Sequence, residues 1–391
     1  IPSLAKLPAM SAQILDKKAS RDAYDFDRLL ENVLRAIRTE LSKNNIDLIL
    51  KYDKEMVRSS LSKATRLKHL STVLSLSRML RKDWGAVTKE DINELLYNVM
   101  KTYSPSGQET HSTWDHKKVL KIFFRWFKLG SRDHLEVGDP EETKRIRLKH
   151  IKNTLTREQM LTDDDISKLL RSCVNPRDRA LLHVHSEAGT RPGEILSLKI
   201  KHVKFDQYGA FIYVDGKTGA RPIRIVRSVP SLATWIDQHP FKDIPESPLW
   251  IILEEPKIGE SMTYYTVDQM LRRIAKRAKI AKRVNLKLFR HSEATSSAMF
   301  LNEAQMRMRH GWTSSSKMPA NYVHLVQADV DRTYLKHLGM VEEEPQQLSL
   351  PKICHICKTP NSPESDSCNK CGKPLDLKKA IEMEEKMMEK N

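Results

Sequence analysis

The chain has 391 residues, enough for two or three domains of ordinary size. Its 67 Lys and Arg against 50 Asp and Glu give a net charge of +17, alongside 39% apolar residues. That apolar content excludes a polycationic disordered tail, the apolar runs are too short for a transmembrane helix, and residues 1–20 lack the apolar centre of a signal peptide. The expectation is a soluble, cytoplasmic, nucleoid-associated protein without a membrane partner, whose excess charge suits a polyanion, with nucleic acid the default. The chain opens at Ile1, which makes Met10 a candidate natural start and residues 1–21 an N-terminal extension.

Residues 22–130 read as all-helical. Phe26, Leu29, Leu30, Val33, Leu34, Ile37 and Leu41 recur on one face at helical spacing. A second helix is expected over Asp47–Arg58 and a third from about Ser62. Thr88-x-x-Asp91 is a capping box ahead of Ile92, Leu95, Leu96 and Val99. Trp114, Val119, Leu120, Phe123, Phe124 and Phe127 lie at core spacing on the last helix and read as packing, not as base-stacking groups. The third helix starts with Ser62, Lys63, Thr65, Arg66, Lys68 and His69, a hydroxyl-rich basic turn suited to a phosphate backbone; a merely solvated face is the alternative.

From 131 to 160 the pattern dissolves into charge around Gly138-Asp139-Pro140, a linker. A second composition begins near Leu161, where Thr162 caps a helix opened by Asp163, Asp164 and Asp165. Another helix spans Pro176–Ser186. The period then switches to two: Val203–Asp206, Ala210–Val214 and Pro222–Val226 read as a three-stranded meander. Helices resume from about Val267 to Leu338. Between Leu271 and Arg290 lie nine Lys or Arg and no acidic residue; Arg272, Arg273, Lys276 and Arg277 are candidate DNA contacts on a helix whose Val267, Met270, Leu271 and Ile274 face inward.

Residues 341–351 read as a spacer and 377–391 as a Met- and Glu-rich helix. Between them, in 352–376, Cys354-x-x-Cys357 and Cys368-x-x-Cys371 form two knuckles suited to a four-thiolate structural zinc site, with Gly372 supplying a left-handed residue. Two disulfides or a redox pair are the alternatives, disfavoured in an intracellular chain. So small a segment cannot fold on apolar burial, and the metal would supply about 10–16 kcal/mol. Four protein ligands leave no open position for catalysis.

Four patches of the second composition could carry chemistry. Arg191 in Gly-Thr-Arg-Pro-Gly-Glu-Ile stands at a helix start, before a proline suited to the first helical position. Lys217 sits on a tight turn between strands, in Gly-Lys-Thr-Gly. Lys287 and Arg290, in Lys-Leu-Phe-Arg-His, are helical neighbours at i, i+3. His310-Gly311-Trp312 and Tyr322-Val323-His324 close the block. Singly, each has a bland reading as a cap, a solvated tip or a core tyrosine.

Together, in this order, they resemble the tyrosine recombinase (phage integrase) family, over about residues 22–338 and most specifically from Arg191 to Tyr322. The family pattern is Arg, a β-hairpin Lys, His-x-x-Arg, a His or Trp, then a tyrosine nucleophile. Arg191, Lys217, Arg290 and Tyr322 match; Trp312 fits the His/Trp slot, with His310 the other occupant. Lys287 stands where the family usually has His. The Gly-Trp, Ser-Lys-Met and Tyr-Val-His-Leu wording, with the trailing zinc ribbon, is most similar to archaeal members.

The resemblance implies a multidomain, mainly α fold: a helical, SAM-like core-binding domain (22–130), an α-rich mixed α/β catalytic domain with a small antiparallel sheet (161–340), and a C-terminal zinc ribbon. It implies a site-specific recombinase or integrase acting as a homotetramer on synapsed double-stranded DNA with attachment sites, through a Holliday junction, for a mobile element. Tyr322 would become joined to a 3′ phosphate, preserving bond energy for rejoining. Arg191 and Arg290 would clamp the nonbridging oxygens of the phosphorane-like state, so that no catalytic metal or ATP is needed. Lys217, its pKa expected to be depressed by neighbouring arginines, would protonate the leaving 5′ oxygen. Lys287 would assist, Trp312 would hydrogen-bond the phosphate, and Glu194 would steady Arg191. No P-loop or two-metal acidic cluster is evident in the sequence. The rivals are a non-catalytic DNA-binding protein on the same fold, a type IB topoisomerase-like enzyme and a chromosome-dimer-resolving enzyme.

Overall fold

The computed structural model describes residues 23–149, 151, 156–323, 334–335, 338–340 and, within 351–375, all but 355, 356, 358, 362–364, 366 and 369. The expected N-terminal extension, C-terminal helix and nearly all of the spacer lie outside the described residues. The chain forms two compact units, Asp25–Thr154 and Leu155–Asn391 with Ile1–Tyr24. Among the described residues no helix is long and apolar enough to cross a membrane.

The first unit is helical: α1 Phe26–Glu40, α2 Lys43–Arg58, α3 Lys63–Leu80, α4 Lys89–Tyr103, α5 His111–Leu129 and the short α6 His134–Val137. Ser42, Ser62, Thr88 and Thr110 each cap a helix by accepting the backbone N–H three residues on. Thr88 and Asp91 form the reciprocal box read from the sequence. The second helix starts four residues earlier than its apolar pattern, because Ser42 supplies the cap.

Val119, Leu120, Phe123 and Phe124 are buried. Phe123 meets Tyr52 and Trp84 edge-on at 5.2 Å each, and Trp84 meets Phe124 at 5.8 Å. Edge-to-face packing of this kind adds to the burial energy and fixes the rings. Truncating Phe123 would cost about 3–5 kcal/mol. The stretch read as a linker is folded over part of its length. Asp139 takes Lys121 and Arg125 at 2.8 and 2.6 Å, and Ile146 reaches the helical core.

The second unit is an α-rich α/β body. Helix α7 is Asp163–Arg171, α8 Pro176–Ala188 and α9 Pro192–Leu196. The sheet is an antiparallel meander of β1 Val203–Asp206, β2 Gly209–Gly216 and β3 Gly219–Ile225. Then come α10 Val229–Asp237, α11 Tyr264–Arg277, α12 Leu286–Ser297, α13 Glu303–His310 and α14 Ala320–Val323.

Alternation along β2 and β3 buries Ala210, Ile212, Val214, Ile223 and Ile225 against the helices. Helix α8 is buried along most of its length, which is why its sequence shows no clean amphipathic period. Helix α10 is not evident in the sequence because part of its cap is tertiary: the Glu187 carboxylate of α8 accepts the N–H groups of Val226, Arg227 and Ser228. The basic helix begins at Tyr264, capped by Thr263, and ends at Arg277.

Candidate active site

Helix α8 ends on Gly189, whose left-handed conformation (φ 56°) turns the chain into Thr190 and Arg191. Arg191 precedes Pro192, the first residue of α9, and is fixed by the next turn of the chain. Its N–H donates to Glu194 Oε2 at 2.9 Å, its Nη1 to Oε1 at 2.7 Å and its Nη2 to the Gly311 carbonyl at 2.6 Å. Glu194 is buried. Burial opposes its ionisation, but hydrogen bonds from Arg221 and Arg191 outweigh this and hold its pKa below the ordinary carboxylate value.

Lys217 and Thr218 form the tip between β2 and β3. Lys217 is exposed, and Thr218 Oγ1 donates to the Gly311 carbonyl at 2.9 Å, which pins the tip beside the Arg191 guanidinium. Arg221, on β3, donates to both oxygens of Glu194 and through Nε to the Arg309 carbonyl at 3.0 Å. It is buried to 12% side-chain exposure. Gly311 sits at φ 61°, and a Cβ there would lie 2.5 Å from the Arg221 guanidinium, so glycine is required for both reasons.

Arg290 comes from α12 and is nearly buried. Its Nη1 donates to the Gly189 carbonyl at 2.9 Å and its Nη2 to the His310 carbonyl at 2.8 Å. Burial, then the nearby charge of Arg191, pushes its pKa down to about 10. Among the described residues no carboxylate forms an ion pair with it. A desolvated guanidinium without a counter-ion, beside a second arginine, is an anion site. The backbone at 310–311 is thus the hub: it receives Arg290, Arg191 and Thr218, and so brings two guanidinium groups and the lysine hairpin to one place.

Tyr322, on α14, is 1% exposed. Its ring stacks on Trp312 at 5.6 Å and 12°, and the Arg290 guanidinium lies 5.5 Å from the Trp312 ring centre. Its hydroxyl lies 2.8 Å from His291 Nδ1. Burial raises the phenol pKa and Arg290 offsets part of the effect. Lys287 is exposed one turn before His291 on α12. His310 is fully buried, with Nε2 3.2 Å from Glu293 Oε2 but no aligned hydrogen bond, and burial followed by Arg290 takes its pKa down to about 3. Of the two candidates for the His/Trp slot, Trp312 therefore faces the tyrosine, and His310 lies behind it at 4.9 Å.

Arg191, Arg290, Trp312 and Tyr322 are gathered around one point, and Thr218, next to the exposed Lys217, docks the hairpin tip on the same backbone turn. Sequence reasoning missed Arg221, His291 and Arg309. Arg221 carried a signal: it pairs across the ladder with Val214, whose face is buried, and an arginine on an inward face needs a partner. Arg309, which holds Glu293 at 3.0 Å and the Glu187 carbonyl at 2.7 Å, stands in a basic run with nothing to distinguish it.

The candidate DNA-binding residues divide. On α3, Ser62, Lys63 and Lys68 are exposed, whereas Thr65 and Arg66 are half-buried and His69 is buried. Lys63 pairs with Asp27 at 2.6 Å, Lys68 pairs with Asp115, and Arg66 forks onto both oxygens of Asp53 at 2.9 Å. His69 bonds Tyr52 at 2.7 Å, and burial takes its pKa to about 4; it is a neutral interior group rather than a phosphate ligand. On α11, Arg272, Arg273, Lys276 and Arg277 are all exposed, with Arg272 paired to Asp268 and Arg277 bonded to the Ser172 carbonyl. Lys282 turns inward, to Asp165 and the Met160 carbonyl.

The cysteines of 354–371 converge. Cys354 and Cys371 sulfurs are 3.6 Å apart, Cys357 and Cys368 sulfurs 3.5 Å, and all four lie within 4.8 Å of one another. Four thiolates at 2.3 Å from a tetrahedral zinc would sit about 3.8 Å apart, so the donor set fits that ion. The Lys370 N–H points to Cys368 Sγ at 3.4 Å, and β4 Lys352–Ile353 pairs with β5 Pro360–Asn361 across the first knuckle.

Residues 159–328 match the phage integrase family. Transposase A of transposon Tn554 from Staphylococcus aureus is 24% identical over 197 residues, 47% of this chain and 54% of the transposase. Tyrosine recombinase XerA of Pyrococcus horikoshii is 26% identical over 178 residues, 46% of this chain and 56% of XerA. Tyrosine recombinase XerD of Pseudomonas putida is 25% identical over 59% of this chain and 76% of XerD. The chain spans about half the length of the first of these relatives. Among solved structures, XerH recombinase bound to palindromic difH substrate is similar with a TM-score of 0.56, at 16% identity over 83% of this chain and 93% of that one. A lambda integrase dimer bound to a core site is similar at 0.54, at 16% identity over 71% and 76%.

Proposed function

We propose that this chain, whose residues 159–328 match the phage integrase family, is a tyrosine-type site-specific DNA recombinase that cuts and rejoins DNA through a 3′-phosphotyrosine. The observation that carries the reading is the pairing of Arg191 and Arg290 around one backbone turn beside Tyr322, which joins an anion site to a nucleophile. A phosphodiester in that site meets two guanidinium groups on its nonbridging oxygens, and they supply the charge that a metal supplies elsewhere. The Tyr322 oxygen bonds to phosphorus, the bond to the 5′ oxygen breaks, and Lys217 gives that oxygen a proton. The reverse sequence rejoins the strands. Lys287 adds positive charge next to the incoming phosphate.

Integration or excision of a mobile element fits the similarity to a transposon's transposase. Action as a homotetramer on two synapsed duplexes, through a Holliday junction, follows from the resemblance to the tyrosine recombinases. One structural zinc held by Cys354, Cys357, Cys368 and Cys371 would order the ribbon. That ribbon and the Gly311-Trp312 wording favour an archaeal-type member.

The test is a covalent protein–DNA adduct on nicked duplex, trapped because the cut strand diffuses away. Wild type forms it and Tyr322→Phe does not. Equal, negligible adduct from both would leave a DNA-binding protein that kept the fold. Relaxation of any supercoiled plasmid without recombinant product would mark a topoisomerase-like enzyme.

A further inference from the structure

We propose that His291 is the base that removes the proton from the Tyr322 hydroxyl, in place of a histidine at position 287. The inference rests on the recombinase reading and assigns one proton within it. His291 Nδ1 lies 2.8 Å from the Tyr322 oxygen, hydrogen-bond distance from the reacting atom itself. The two rings are tilted at 32° with centres 6.0 Å apart, so they meet through edge atoms and not through stacking. Positions 287 and 291 are one helical turn apart on α12, on one face, so a base at 291 serves the space that a base at 287 would serve.

Among the described residues, the charged groups near the imidazole are Arg290 and Lys287, both on its own helix. From the segment packed against it come Tyr322 and, behind Tyr322, the uncharged Trp312. Burial, then Arg290, then Lys287, keeps the imidazole pKa below its ordinary value, so it is neutral at pH 7 and free to accept. The matching tautomer carries its proton on Nε2, and the phenol donates to Nδ1. In the forward step the phenol proton passes to Nδ1 as the oxygen–phosphorus bond forms, and Lys217 protonates the departing 5′ oxygen. On rejoining, the imidazolium returns its proton to the phenolate and Lys217 recovers its own. No oxidant, metal or water is consumed.

The experiment uses the full chain and a pool of nicked duplexes with randomised flanks. Wild-type protein first captures its preferred duplex as adduct, and that duplex then serves all variants in single-turnover assays across pH 5–9. Asn places an oxygen near the Nδ1 position without titrating, so His291→Asn keeps the hydrogen bond and loses the base. It is expected to cleave roughly 10²–10⁴-fold more slowly. The fall in wild-type rate toward acid pH should be missing, and gel-shift affinity for the duplex unchanged. His291→Ala with added imidazole should regain part of the rate, in proportion to the neutral imidazole present. A His291→Asn rate equal to or above wild type, or an unchanged acid limb, would overturn the assignment and make the hydrogen bond a resting latch. Failure of wild type to form any adduct would instead take down the recombinase reading, and this assignment with it.

Discussion

Arg221 of the third strand grips both carboxylate oxygens of Glu194, at 3.1 and 2.8 Å. The same carboxylate fixes the backbone and side chain of Arg191, so one buried acid sets the aim of the arginine proposed to bind phosphate from two sides. Removing one member of such a buried pair leaves uncompensated charge and costs about 3–5 kcal/mol. Glu194→Gln should lose stability of that order in urea unfolding. It should also slow adduct formation while leaving duplex affinity near wild type, because Arg191 is then no longer held. The carboxyl pKa is lowered by folding, so the stabilisation is present at neutral pH and is lost as pH falls through the folded value, below the ordinary carboxylate range. The mutant should lack that acid-dependent component; an identical acid profile would contradict it.

Burial of neutral histidines predicts a second pH dependence at higher pH. His185 Nε2 donates to the Leu286 carbonyl at 2.8 Å and its Nδ1 accepts from the Thr190 hydroxyl at 3.1 Å, and burial takes its pKa to about 4. His239 is likewise at about 4 and His310 at about 3, each by burial first. Each binds a proton more readily when unfolded, near pH 6.5, than when folded. Folding stability is therefore full above about pH 6.5 and drains as pH falls toward 4, by up to about 1.4 kcal/mol per pH unit for each histidine. Melting temperature should fall steeply over that interval, and His239→Gln, which lies away from the arginines, should make the slope shallower by roughly one proton. A flat profile from pH 7 to 5 would argue against neutral burial.

Much of this site was legible because its parts are local. Gly-Thr-Arg-Pro-Gly places Arg191 at a helix start, Gly-Lys-Thr-Gly makes the hairpin tip, and the cysteine spacing brings four sulfurs together; each is decided within a few residues of chain. His69 was not legible as an interior group, since its burial depends on Tyr52, seventeen positions away on another helix. Nor could the basic run at 271–290 reveal that Lys282 turns inward to Asp165. Helix α10 was missed because Glu187, on a different helix, holds the backbone N–H groups of Val226, Arg227 and Ser228 that lead into it. Local chemistry writes itself in sequence, whereas tertiary capping and the pairing of distant charges do not.

The proposed zinc site predicts a clean separation of stabilities. Purified protein should carry one zinc per chain, with a single thiol, Cys173, outside the cluster. Treatment with a strong chelator should expose the four clustered thiols to a thiol reagent and unfold the ribbon, whose small apolar content cannot hold it. The main melting transition should move little, because the large core of the second unit is formed by Leu181, Ile212, Trp250 and their neighbours, far along the chain from the cysteines. Cys368→Ser should reproduce the chelated state. Full reactivity of all five thiols before chelation would rule out a bound metal.

The net charge of +17 can be apportioned more finely than by sequence position. On α11, Arg272 is paired with Asp268 at 2.8 Å and Arg277 bonds the Ser172 carbonyl at 3.1 Å. Arg273 and Lys276 are exposed on the same helix and form no ion pair among the described residues. A charge already neutralised within the protein releases fewer counterions when it meets a phosphate. Only Arg272 is neutralised in this way, since the carbonyl that Arg277 meets carries no charge, so the salt dependence of duplex binding should reside in Arg273, Lys276 and Arg277 more than in Arg272. The double substitution Arg273→Gln, Lys276→Gln should flatten the log–log salt slope by up to about 2, at roughly 0.9 for each phosphate no longer neutralised. Arg272→Gln should change it less. Tyr322→Phe should leave the slope at its wild-type value while abolishing adduct, because the proposed nucleophile carries no charge to the backbone. Equal slopes for the α11 double variant and wild type would place the duplex on another face of the unit.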